Sequence, residues 1–219
     1  MRPLIFIPFL FLYTVCKSQV DKTQKQSKDT LILNHQKLTQ IFKDKRLQSL
    51  TTLLGDTVLK NGDQYSDIKF LDINDDGYMD IRAFIFSNTP NQCENYLYDK
   101  ENKTFRLVEG CDLDIHLIKG TMYYYSYNRA GCADMNWESY LSKIENYKLV
   151  LLGYIYGQGC DFQIKENPQV IKIYKITNVS IDEKVLIKKL SYKQYVPKFD
   201  AKWDFIKNYW TKNYHGFIN

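Results

Sequence analysis

Short runs of apolar residues, broken by turn-forming residues, make up most of the chain after Tyr65. The runs are rich in β-branched and aromatic residues, a composition typical of strands. They occupy residues 67–71, 81–86, 96–98, 104–108, 114–119, 121–127, 136–141, 147–156, 169–176 and 184–192. Strands of this length, repeated at short intervals, predict an all-β fold of antiparallel sheets that is propeller-like or barrel-like.

Two segments depart from that pattern and predict helices near the two ends of the chain. Residues 35–54 carry apolar side chains at a mostly helical spacing, and Gly55 follows as a stop. Residues 200–214 are rich in aromatic side chains, with Asp200 as a cap and Pro197 at the break before them. We therefore expect one or two short helices before the β-strands and one helix after them.

The first 18 residues have the features of an export signal. Arg2 precedes an apolar core at residues 4–12, which is too short to span a bilayer. Residues 16–18 form a small-x-small site, which predicts cleavage before Gln19. The sequence therefore predicts a periplasmic or secreted protein.

Lipid attachment at Cys16 is the alternative to cleavage, and the bulky Val15 before it disfavours that alternative. Residues 19–30 are rich in lysine, glutamine and serine, which predicts a flexible linker. Residues 31–219 then form a single β-rich domain. No other apolar run is long enough to predict a transmembrane helix.

The exported chain carries too little net charge to indicate a nucleic-acid partner. The full sequence has 30 basic and 25 acidic residues, a net charge of +5. Removing residues 1–18 removes Arg2 and Lys17, which leaves 28 basic against 25 acidic residues, a net charge of +3. The charges are interspersed, so no basic patch is predicted.

Four cysteines remain after removal of the signal, namely Cys93, Cys111, Cys132 and Cys160. An even number outside the cytoplasm predicts two disulfides, and three pairings are open. We favour Cys93–Cys111 and Cys132–Cys160, because each pair closes a loop that spans neighbouring strands. A zinc site is the alternative, but no pair has the short spacing of zinc-binding cysteines.

Side chains with hard oxygen donors recur at every second position after the first apolar run. They are those of Asp72, Asn74, Asp76 and Asp80. Gly77 permits a sharp turn, and Tyr78 can add its backbone carbonyl, so the spacing predicts a Ca²⁺-binding loop between two strands. Ala83 stands where an EF-hand has glutamate, so the loop is not an EF-hand. An acidic hairpin turn without metal is the alternative.

Tyrosine is unusually frequent, with 18 residues, and it clusters at residues 123–127. Tyrosine and arginine dominate the energetics of protein interfaces. The cluster and the loop after it therefore predict a partner-binding surface, and the alternative is ordinary packing of tyrosines across strands. The predicted surface consists of Tyr125, Tyr127, Asn128, Arg129 and Asp134.

Catalytic signals are weak, so the sequence predicts a protein that is not an enzyme. The three histidines are scattered and lack metal-ligand spacing, and neither a nucleophile elbow nor a phosphate-binding loop occurs. His116 is predicted to be a surface or core-edge side chain in a strand. Asp112 and Asp114 are the one candidate carboxylate pair for an enzyme.

Residues 70–81, 95–99, 105, 125–127, 131 and 137–151 form a pattern that spans about residues 65–153. In this pattern the chain resembles a family of periplasmic, β-propeller-like inhibitors of peptidoglycan hydrolases, which act as immunity proteins against lysozyme-like toxins. The cysteines and the aromatic tail after Pro197 depart from the family pattern.

The resemblance implies a propeller-like fold, a structural Ca²⁺ in the loop described above, and a loop that plugs the cleft of a glycan-cleaving enzyme. The family's inhibitory loop does not map onto this chain residue by residue, so residues 127–134 are inferred from composition. We therefore expect a calcium-stabilised inhibitor of a peptidoglycan hydrolase. The alternative is a non-inhibitory cell-envelope or glycan-binding module of the integrin-propeller-repeat type.

Overall fold

The structure is a computed structural model that describes residues 26–44, 46–60, 64–160, 169–178 and 181–218. The predicted export signal and Cys16 lie outside the described residues. The first strand begins at Gln26, so the end of the predicted linker over residues 19–30 is part of a sheet.

The first sheet is a four-stranded antiparallel meander close to the N-terminus. Its strands are β1 (Gln26–Leu33), β2 (Gln36–Lys43), β3 (Arg46–Thr52) and β4 (Thr57–Leu59). The helix predicted over residues 35–54 is therefore wrong. The segment pairs with itself across a turn, and Leu38 and Leu50 are fully buried on the inner face while Lys37 is exposed. Pairing between strands thus overrides the local spacing of apolar residues.

The second sheet is another antiparallel meander, in the order β5-β6-β7-β8. Its strands are β5 (Tyr65–Leu71), β6 (Asp80–Ile85), β7 (Cys93–Asp99) and β8 (Thr104–Leu107). These strands confirm the predicted hairpins around residues 67–86 and 96–108. The turn from β5 to β6 is the predicted calcium loop.

The third sheet has seven antiparallel strands and forms the C-terminal half of the fold. Five are β11 (Asn128–Arg129), β12 (Asn136–Glu145), β13 (Lys148–Gln158), β14 (Val170–Ile176) and β15 (Lys184–Ser191), and the other two are β9 (His116–Leu117) and β10 (Tyr123–Tyr125). The hairpin predicted to turn over residues 142–146 instead turns at Asn146 and Tyr147. Both residues have positive φ, 52° and 61°, so the strands run longer than expected.

One face of the third sheet is covered by the helix α2 (Ala201–Asn213), which follows the short helix α1 (Tyr192–Tyr195). Asp200 occupies the predicted cap position, although its side chain makes no capping hydrogen bond. Trp210 of α2 is fully buried against this face, and its Nε1 donates to Ser139 Oγ at 2.8 Å. The aromatic C-terminal helix is therefore confirmed.

The sheets are joined by shared apolar clusters. Leu38 and Leu50 of the first sheet pack with Ile81 and Tyr98 of the second. The second sheet in turn packs against the third through a cluster that contains Leu97 and Tyr124, among others. The described strands form no closed barrel, and the all-β class is confirmed.

Candidate functional site

The predicted calcium loop is held by its own side chains. Asp72 accepts hydrogen bonds from the backbone N–H groups of Asp76, at 3.1 Å, and Gly77, at 2.8 Å. Gly77 has φ of 86°, a left-handed conformation that glycine adopts without strain. The first carboxylate thus folds the loop over itself, and the turn is sharp where the glycine was predicted to allow it.

Asp80 closes the loop from the inside of the fold. Its side chain is 1% exposed, and its two oxygens accept from the backbone N–H groups of Ile73 and Tyr98, both at 2.8 Å. Burial raises the pKa of Asp80 to about 7, and the negative charges of Asp76 and Asp72 add to the rise. The charges of Asp72 and Asp76 therefore add to burial in disfavouring the ionised form of Asp80.

The donor chemistry of the loop fits a hard cation. Among the described residues, no lysine, arginine or histidine forms an ion pair with Asp72, Asp76 or Asp80, so their mutual repulsion is not offset by a protein cation. Asn74 and Asp76 also line an open cavity of about 450 Å³. In the described part of the chain, however, no group of three or more histidine, cysteine, aspartate or glutamate side chains is arranged to hold a metal ion.

The first sheet also contacts the predicted calcium loop through hydrogen bonds. In the turn between β1 and β2, Asn34 donates through Nδ2 to the carbonyl of Met79 at 2.8 Å, and its Oδ1 accepts from the Met79 N–H at 2.7 Å. Met79 lies between Tyr78 and Asp80, two of the predicted ligands. This contact joins residues far apart in sequence, so no local pattern predicts it.

The residues of the predicted partner surface differ in where they lie. Tyr127 is buried, Tyr125 is half-buried against the ring of His116, and Asn128 donates to Glu138 at 3.2 Å. Asp134 is tied to the interior, and only Arg129 is exposed. Tyr127 therefore lies in the interior and not on an exposed partner surface.

Asp134 is held by a lysine that the sequence analysis did not single out. Lys202 of α2 is fully buried, and its Nζ donates to Asp134 Oδ2 at 2.8 Å and to the Asp134 carbonyl at 2.9 Å. The Tyr127 hydroxyl donates to the other carboxylate oxygen. Lys202 Nζ also lies 3.6 Å from the ring centre of Phe199 and 5.1 Å from that of Trp203. The ammonium group is thus enclosed by an ion pair and aromatic faces.

This ion pair fixes a strained turn directly after β11. Cys132, Ala133 and Asp134 have φ of 50°, 50° and 70°, the left-handed region that costs free energy for residues with a side chain. The disulfide Cys132–Cys160 anchors the start of the turn, and Lys202 anchors its end. The segment that carries Arg129 is therefore rigidly held.

Two aromatic side chains extend the exposed surface around this turn. Phe199 is 50% exposed and Trp203 is 40% exposed, and the Trp203 ring lies 4.1 Å from that of Tyr127. Trp203 belongs to the aromatic C-terminal helix predicted over residues 200–214, but it is not among the buried residues of α2. It lies beside the buried stripe of α2, next to the partner surface predicted around Arg129.

The two predicted disulfides have different outcomes. Cys132–Cys160 is confirmed, and it fits an exported protein. The predicted Cys93–Cys111 bridge is wrong, because both residues are buried free thiols. Asn95 Nδ2 lies 3.5 Å from Cys93 Sγ and 3.2 Å from Cys111 Sγ, so one amide donor serves both sulfurs. Burial raises the pKa of each thiol to about 12, which keeps both protonated.

The candidate carboxylate pair does not converge on one site. Asp114 forms an ion pair with Arg82, a buried side chain that also donates to Asn95 at 2.8 Å and to the carbonyl of Ile115 at 2.8 Å. Asp112 is exposed. Asp114 therefore serves to neutralise a buried arginine between the second and third sheets.

Comparisons with known proteins give one distant structural match. No protein-family model and no curated protein matches the chain. A solved Xanthomonas protein, described as related to a type IV secretion system, is 14% identical, with a TM-score of 0.42, over 75% of this chain and 86% of that one. Every helix in the described residues is too short or too polar to cross a membrane.

Proposed function

We propose that this chain is an exported, calcium-stabilised protein that inhibits a peptidoglycan hydrolase without doing chemistry itself. The proposal follows from the family resemblance of residues 65–153. The observation that carries it is the exposed Arg129 at the end of β11, directly before a turn that the Cys132–Cys160 disulfide and Lys202 hold. Phe199 and Trp203, which enclose the Lys202 ammonium, are also partly exposed. An exposed arginine beside aromatic side chains is the composition of interface hot spots.

The mechanism is occlusion of a cleft that is lined with carboxylates. Glycan-cleaving enzymes generally use two acidic side chains, and a guanidinium group can pair with one of them through two parallel hydrogen bonds. Preorganisation favours this contact, because the disulfide and the Lys202–Asp134 pair have already restricted the turn before the partner arrives.

Calcium has a structural role in this proposal. Asp72, Asn74, Asp76 and Asp80 would hold the ion with the backbone carbonyl of Tyr78. A bound divalent ion would neutralise the three carboxylates, which form no ion pair with a basic side chain among the described residues. It would also fix the connection between β5 and β6.

The test is a lysis assay with the purified protein and a panel of lysozyme-like hydrolases in calcium-containing buffer. The protein is expected to slow lysis by at least one hydrolase, and Arg129→Ala is expected to weaken inhibition by about tenfold or more, as for an interface hot spot. Arg46→Ala is the matched control, because Arg46 is an exposed arginine on the first sheet.

Two outcomes would count against the proposal. One is the absence of inhibition across the whole panel with calcium present. The other is equal inhibition by the Arg129→Ala variant and the unmodified protein. That result would show that Arg129 and the turn after β11 do not contact the hydrolase.

A further inference from the structure

A row of tyrosines crosses the face of the third sheet that lies opposite α2. Tyr140 of β12 pairs directly with Tyr154 of β13, and Tyr154 pairs with Tyr174 of β14. The neighbouring ring centres are 5.3 and 5.6 Å apart. Trp137 and Ile155, in contrast, face α2. Because side chains alternate between the two faces of a strand, the three rings share the other face.

A carboxylate at the end of this row gathers hydroxyl and amide donors. Glu138 Oε1 accepts from the Tyr154 hydroxyl at 2.8 Å, and Oε2 accepts from the Tyr140 hydroxyl at 2.9 Å and from Asn128 Nδ2 at 3.2 Å. No described lysine or arginine forms an ion pair with Glu138. The hydroxyls of Tyr140 and Tyr154 and the Asn128 N–H are thus directed toward Glu138, so they are not free to donate to a ligand. The amide of Asn128 also has an acceptor, Oδ1.

One of those acceptors has no partner in the protein. The Oδ1 atom of Asn128 is buried and lacks a hydrogen bond within the described residues. Asn128 lines an open cavity of about 250 Å³, together with Tyr140 and the polar side chains of Gln92 and Asp112. Leu151 and other apolar side chains line the rest of this cavity. A buried acceptor without a donor has a high free energy, so the cavity is suited to a ligand that supplies a donor.

The hydrogen-bond donors and acceptors that line the cavity indicate which class of ligand it can bind. Asn128 Oδ1 and the carboxylate of Asp112 are hydrogen-bond acceptors. The hydroxyls of Tyr140 and Tyr154 already donate to Glu138, so they do not supply donors to a ligand. A peptide or an anion would need donors in return, whereas a sugar supplies several hydroxyl donors and an apolar face that stacks on aromatic rings. The cavity has room for about one sugar ring, and the tyrosine row continues from it across two further strands.

We propose that this cavity binds one ring of an uncharged oligosaccharide, which packs against Tyr140. The rings of Tyr154 and Tyr174 lie outside the proposed site, because Tyr154 is buried and the Lys184 ammonium lies over both rings. The site is independent of the inhibitory surface. Asn128 and Arg129 are consecutive in β11, so their side chains lie on opposite faces of the sheet. A glycan can therefore occupy one face while a protein partner occupies the other.

The experiment is saturation-transfer NMR and calorimetry on the whole purified protein with two probes, the β-1,4-linked tetramer of N-acetylglucosamine and cellotetraose. At least one probe is expected to bind. Asn128→Ala, which removes the acceptor without a partner, and Tyr140→Ala, which removes the ring in the cavity wall, are each expected to weaken binding by about tenfold or more. Tyr195→Ala is the control, because this 41% exposed tyrosine lies on α1, away from the row. Circular dichroism verifies that each variant is folded.

Three results would overturn the proposal. Failure of both probes to bind at millimolar concentration would mean that water alone satisfies Asn128. Unchanged binding in both folded variants would place the saccharide elsewhere. Preferential binding of arginine amide over both saccharides would mean that the carboxylates select a cation. Arg129→Ala is expected to leave saccharide binding unchanged, which separates this test from the test of hydrolase inhibition.

Discussion

Replacing Gly157 by alanine is expected to lower the free energy of unfolding by about 3–5 kcal/mol, among the largest losses that one methyl group can cause. A Cβ atom at this position would lie 2.0 Å from Cε2 of Trp137. Trp137 is fully buried between the third sheet and Phe205 of α2, so its indole cannot move aside. Urea unfolding followed by circular dichroism measures the loss.

Gly216→Ala is the matched control, because no atom lies within 4 Å of the added Cβ at that site. This control is expected to unfold within about 0.5 kcal/mol of the unmodified protein. Equal stability of the two variants would show that α2 does not press Trp137 against the sheet as described.

Replacing Lys202 by methionine is expected to lower the free energy of unfolding by about 3–5 kcal/mol, because it leaves Asp134 without its buried partner. Lys202 Nζ makes two hydrogen bonds to this residue and is enclosed by Phe199 and Trp203. Methionine keeps most of the packing volume, so the effect reports the charge and its hydrogen bonds. Urea unfolding at neutral pH measures it.

Two further variants separate the ion pair from general damage to the helix. Lys207→Met changes an exposed lysine of α2 and is expected to be nearly neutral. The double variant Lys202→Met with Asp134→Asn removes both charges, and we expect it to regain much of the lost stability. A double variant less stable than Lys202→Met alone would contradict the assignment.

The strands after Tyr65 could be predicted from the sequence because each carries its own evidence. Alternation and turn residues locate β5 and β6 without knowledge of their neighbours. The same reasoning failed over residues 35–54. Leu38 and Leu50 happen to fit a helical spacing, and only their pairing across β2 and β3 decides between helix and strand.

The candidate sites depend even more on contacts between distant residues. The sharp turn between β5 and β6 depends on local residues, and it could be predicted, whereas calcium binding by this turn stays a prediction. The pairing of Lys202 with Asp134 spans 68 residues, and no pattern in α2 distinguishes this lysine from the exposed Lys207. The even number of cysteines and the loop between neighbouring strands predict a bridge between Cys93 and Cys111, whereas in the fold both are free thiols and the amide of Asn95 contacts both sulfurs. Non-local packing therefore decides which predicted residues are exposed.

The most direct test of the account is a calcium titration of the chelator-treated protein by calorimetry, with thermal unfolding measured on the same samples. We predict that one equivalent of Ca²⁺ binds, that Mg²⁺ binds more weakly, and that a hundredfold excess over Kd stabilises the fold by about 2.7 kcal/mol. Asp76→Ala should abolish both the binding heat and the rise in Tm. No heat and an unchanged Tm at millimolar Ca²⁺ would contradict the claim that a cation fixes the connection between β5 and β6.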